Sequence, residues 1–173
     1  MKRHMPGSRR LERTLRRLFV ADQRDRVGRS TRGALAVDDL TACSLAMAIP
    51  LNGLPLSSKA KFVLAMILHH SGNSAQLKRA QAWAAHAVRT GYPKSRWLHA
   101  AIFDRRLILQ GKPQRYGTQF RRDPQSGALS LVALDGLCSD AERIRLGLAP
   151  VGDYKASPCH LDESGNEIFQ TER

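Results

Sequence analysis

Ser57-Ser58-Lys59-Ala60-Lys61-Phe62-Val63-Leu64-Ala65-Met66-Ile67-Leu68-His69-His70-Ser71-Gly72 decides the fold class. The apolar run from Phe62 to Leu68 leaves no polar face, and it is too short to span a bilayer. It predicts a helix surrounded by other elements, the centre of an all-helical core. Ser57 or Ser58 can cap its start, because a serine oxygen accepts from backbone N–H groups left unpaired in the first turn. Gly72 suits a left-handed position beyond its end. His69 and His70 then stand at the mouth of the core.

The neighbouring segments carry the same period. Ser74 opens a helix through Leu77, Ala80, Trp83, Ala84 and Val88, closed by Gly91-Tyr92-Pro93. Ser95 opens the next, with Trp97, Leu98, Ala101, Ile102, Leu107 and Ile108, ended by Gly111 and Pro113. Upstream, Leu11, Leu15, Leu18 and Phe19 predict a first helix over about Ser8–Val27, and Asp38 or Asp39 caps a second through about Ile49. Ser139 caps a last one, Asp140 to Leu146. Short connections make these neighbours antiparallel. After Gln114 the character changes: Tyr116, Thr118 and Phe120, then Asp123-Pro124-Gln125-Ser126-Gly127, then Leu129 to Leu134, predict a β-hairpin. The fold class is therefore mainly α: a single-domain antiparallel bundle of about five to six helices with a short C-terminal β-hairpin near 114–134. A basic flexible tail (1–10) precedes the helical domain (11–154), and a polar, loose tail (155–173) follows it.

Composition narrows the class. At 173 residues, 42% hydrophobic and 25% charged, the chain has the make-up of one ordinary globular domain. Cys43, Cys138 and Cys159 are widely spaced and odd in number, which predicts reduced thiols and a cytoplasmic setting. No charged start is followed by a signal-peptide core, and no stretch reaches the roughly 20 apolar residues of a membrane span, so export and membrane partners are not expected. The net charge of +13 is lopsided, since residues 1–32 hold eleven Lys and Arg against three Asp and Glu. Arg9, Arg10, Arg13, Arg16 and Arg17 cover the outer face of the first helix, with Arg121 and Arg122 near the hairpin tip. They can contact nucleic-acid phosphates without base specificity. The plainer alternative is a solvated basic face produced by codon bias.

Around the hairpin start lies Gly111-Lys112-Pro113-Gln114-Arg115-Tyr116-Gly117-Thr118-Gln119-Phe120. With Ala21 to Arg26, Leu68-His69-His70, Asp104-Arg105 and Ala141 to Pro150, this stretch resembles a largely uncharacterised family of small bacterial helical proteins with a G-x-P-Q-x-Y-G-T-Q signature. The resemblance implies a helical fold with a short hairpin and no particular reaction. That family tends to place an Asp two residues after the histidine, where this chain has Gly72.

As a strand, Gln114, Tyr116 and Thr118 share one face, and Arg115, Gly117 and Gln119 the other. If Asp22, Arg26, His70, Asp104, Arg105 and these groups converge, they form a polar cavity among helix ends. The expected catalytic residues are His70 as general base, oriented by Asp22 or Asp104. The expected ligand-binding residues are Arg26, Arg105, Gln114, Tyr116, Thr118 and Gln119, with an arginine holding an anionic group and Tyr116 donating to developing charge. The alternative is a satisfied polar network that pins the hairpin to the bundle, since buried Asp, Arg and Gln must be paired either way. His69-His70, His86, His99 and Cys159-His160 do not make a metal-site spacing, and P-loop, GxGxxG and GxSxG motifs are absent, so neither metal nor cofactor is expected. Three functions remain: a pocket for a small molecule or peptide, extending to hydrolytic or transfer chemistry; a basic nucleic-acid-binding or regulatory protein; and a protein–protein adaptor.

Overall fold

Caps and breakers set the order of elements. In the computed structural model they are α1 (Pro6–Arg26), α2 (Asp39–Ala48), α3 (Ser58–His69), α4 (Ser74–Arg89), α5 (Ser95–Leu109), β1 (Phe120–Arg122), β2 (Leu129–Leu131) and α6 (Asp140–Arg145). A 3-10 turn (Val151–Asp153) and two minimal strands, β3 (His160–Leu161) and β4 (Glu167–Ile168), follow. The structure describes residues 6–26, 39–50, 54–122, 125, 129–153, 160–161 and 167–168, with side chains except at 6–9, 21–26, 39–40, 122, 129 and in β3 and β4.

The bundle is organised on α3, which packs against α1, α2, α4 and α5. Every residue from Ala60 to His69 is buried, as a run without a polar face requires. Ser57 Oγ accepts from Ala60 N at 3.1 Å, and Glu12 of α1 reaches across to accept from Ser57 N at 2.8 Å. A carboxylate from a neighbouring helix thus sits at the positive end of α3. Asn73 caps α4, its Oδ1 accepting from Ala75 N at 2.8 Å and Gln76 N at 3.3 Å. Leu77, Ala80, Trp83, Ala84 and Ala87 form its buried stripe, and α4 packs extensively on α3.

Three boundaries differ from the sequence reading. Helix α1 begins at Pro6, so residues 6–10 belong to it and not to a tail; proline fits the first helical position, where its missing N–H has no partner to lose. Gly72 does not take a left-handed conformation, and α3 instead ends through His70 in right-handed geometry. The hairpin is narrower: β1 and β2 pair antiparallel as Phe120↔Leu131, Arg121↔Ser130 and Arg122↔Leu129, while residues 115–119 form no strand. Among the described residues no helix is long and apolar enough to cross a membrane.

Candidate functional site: a buried carboxylate hub and the groove beside it

The segment Gln114–Gln119 wraps around one side chain of α5. Asp104 is completely buried, and its carboxylate accepts from four groups of the loop. Oδ1 takes Arg115 N at 2.8 Å and Tyr116 N at 2.9 Å; Oδ2 takes Thr118 N at 3.1 Å and Thr118 Oγ1 at 2.8 Å. Three backbone N–H groups of the loop, at residues 115, 116 and 118, are thereby aimed inward at one anion. A strand cannot do this, because its N–H groups alternate in direction. The alternating-face reading of 114–119 is corrected on that ground.

Each residue of the segment has a task. Gln114, also fully buried, replaces a rung of the hairpin ladder with its side-chain amide. Its Nε2 donates to Gln119 O at 2.9 Å and Val132 O at 2.8 Å, while its Oε1 accepts from Gln119 N at 2.8 Å. Gly117 has φ +71°, and a Cβ there would lie 2.5 Å from Arg143 Nη1. Arg143, from α6, is itself completely buried; it donates from Nη1 to Tyr116 O and from Nε to Ala149 O at 2.8 Å. The loop is thus clamped from within by a carboxylate and from outside by a guanidinium. The Tyr116 ring meets Phe103 edge-on at 5.7 Å, and burial pushes its phenol above the usual range. Arg115 lies over Phe103 and binds Asp135 Oδ2 at 3.0 Å.

A relay runs outward from this hub. Thr118 Oγ1, donor to Asp104, accepts from Gln119 Nε2 at 3.1 Å. Gln119 Oε1 accepts from Arg105 Nε at 3.1 Å, and Arg105 Nη1 donates to His69 O at 2.9 Å. The guanidinium therefore satisfies a carbonyl at the C-terminal end of α3, where a cation is favoured. Arg105, Gln119 and His70 then line a groove of about 300 Å³. Ser71, Gly72 and Arg121 complete its polar rim, and Ile108, Leu109, Phe120 and Val132 supply its apolar part.

The structure consequently divides the residues expected to converge. His70, Arg105 and Gln119 share the groove. Asp104, Gln114, Tyr116 and Thr118 do not line it: they form the network that pins loop and hairpin to α5. Asp104, expected to orient His70, directs its carboxylate to the loop instead. Asp22 and Arg26 lie on α1, and their side chains fall outside the described residues. Arg143 was not singled out by sequence reasoning, because a six-residue helix such as α6 is too short for periodicity to separate a buried arginine from an exposed one. Arg121 was assigned only to the phosphate-contacting set, and its place on the groove depends on where the hairpin docks.

Comparison of the chain with family models, with curated proteins and with solved structures finds no match in any of the three.

Proposed function

We infer that the groove between the end of α3, α5 and the hairpin binds a small anionic molecule or the carboxylate of a peptide. The observation that carries this reading is the make-up of its lining: His70, Arg105 and Arg121 stand together around it, opposite an apolar wall. The apolar wall of Ile108, Leu109, Phe120 and Val132 suits an amphiphilic anion, with an organic body against the wall and its charge toward the arginines. At about 300 Å³ the groove stands at the small end of ligand sites. Its polar edge is preorganised, because Arg105 is fixed by Gln119 and by the α3 terminus. Such fixing lowers the ordering cost of binding. The reading is of recognition in the first place, and it assigns His70 no reaction.

Amide-resolved NMR titration with acetate, inorganic phosphate, phenylacetate and phenyl phosphate tests it. The aromatic anions are expected to shift resonances of residues 70–72, 105–109 and 119–121 and to bind at least tenfold more tightly than their inorganic or methyl counterparts. Arg121→Glu, at an exposed position, is expected to abolish those shifts without changing the fold. Saturating concentrations that leave these amides unmoved would sink the reading.

A further inference from the structure

A second charged surface lies on α1, and the groove does not account for it. Leu15, Leu18 and Phe19 are buried in the core with Leu11 packed beside them. Arg10, Arg13, Arg16 and Arg17 are all exposed. At 100° per residue the four arginines occupy an arc of about 120°, centred opposite the apolar stripe, and they extend along about 10 Å of helix. Glu12 is the one acid among the described side chains of α1, and it is half-buried, turned toward α3 to accept from Ser57 N at 2.8 Å. Among the described side chains of α1, the acid is thus turned inward to the start of α3 and away from the arginine face. No ion pair among the described residues engages the four arginines.

We propose that the outer face of α1 is a contact surface for the phosphate backbone of double-stranded DNA. A helix of about 10–12 Å diameter matches the roughly 12 Å width of the B-form major groove, which lines phosphates along both sides. An arc of about 120° sends arginines toward both sides at once. A-form RNA offers a deep, narrow major groove that such a helix cannot enter. An anionic membrane fits less well, because the apolar residues that would insert beneath the headgroups are already buried in the core. The four side chains reach phosphates and not base edges, so binding is independent of sequence. The chain's net charge of +13 adds a long-range attraction for any polyanion.

The experiment is fluorescence anisotropy of the full chain with a labelled 20-base-pair mixed-sequence duplex, repeated over a salt series. Neutralising four phosphates contributes about −3.6 to the slope of log K against log salt. The variant Arg13→Gln/Arg16→Gln/Arg17→Gln is expected to reduce the slope by about 2.7 and to weaken binding at least tenfold in low salt. The variant Lys78→Gln/Arg96→Gln/Lys112→Gln removes the same charge from exposed positions elsewhere and is expected to leave the slope unchanged. Single Arg17→Gln, expected to remove about 0.9, tests the same point if the triple variant melts early. No binding at low salt overturns the proposal, as do equal losses in both triple variants. Equal or tighter binding to an RNA duplex or to phosphatidylserine vesicles overturns it too.

Discussion

Replacing Asp104 by Asn changes one atom's chemistry at nearly constant shape, and the loop geometry gives the cost. With Asn Oδ1 kept toward Arg115 N and Tyr116 N, the new Nδ2 faces Thr118 N, so two donors meet where a carboxylate oxygen stood. The Thr118 hydroxyl can rotate to accept, but the Thr118 N–H cannot. One orphaned buried N–H costs about 1–3 kcal/mol, and two remaining bonds fall from charge-assisted to neutral strength at about 1 kcal/mol each. The expected loss is about 3–5 kcal/mol, a large share of the roughly 5–15 kcal/mol that holds a domain together. Urea unfolding followed by circular dichroism would register it as a midpoint lowered by about 2 M, for a slope near 2 kcal/mol/M. Hydrogen exchange at the amides of residues 115, 116 and 118 should lose its protection at the same time. Adding Thr118→Val should cost less in the Asp104→Asn background than in the native chain, because the two share one bond. A midpoint shift under about 0.5 M with those amides still protected would refute the assignment of Asp104 as the organiser of the loop.

Gly117→Ala should destabilise by about 1–3 kcal/mol through its left-handed backbone and the displaced, fully buried Arg143, and thermal melting checks it; a neutral outcome would count against the clamp. Stability should fall as pH drops below 6.5, because burial first, and then the charges of Lys61 and Arg89, hold His86 below its ordinary value, and the unfolded chain takes up a proton that the folded one refuses. Lys61 Nζ lies 2.9 Å from His86 Nε2, so His86→Gln should reduce that slope in chemical denaturation series between pH 5 and 7; half-buried His99, held low by burial, adds a contribution of the same sign. Asn73→Ala should cost about 1 kcal/mol by removing the cap of α4, measured by the same denaturation midpoint; Asn73→Ser should recover most of it.

The chain's local chemistry determined much of this protein by itself. The run Phe62 to Leu68 has no polar side, so α3 had to be central whatever surrounded it. Ser57 and Ser139 marked helix starts because their oxygens serve backbone donors three residues away, a purely local matter. The hairpin, too, was legible, from β-compatible runs around a Pro/Gly turn. What local rules could not supply was the partner of each polar group. Tyr116 and Thr118 have strand preferences, yet the loop closes on Asp104 from another element, eleven residues from its nearest donor. Four donors around one buried carboxylate outweigh the small preference of any residue for a strand. The same competition sent Asp104 away from His70 and brought Arg121 into the groove. Sequence fixes where a side chain leaves the helix; only packing decides which charge it meets, because desolvation makes burial of an unpaired charge far costlier than any local preference.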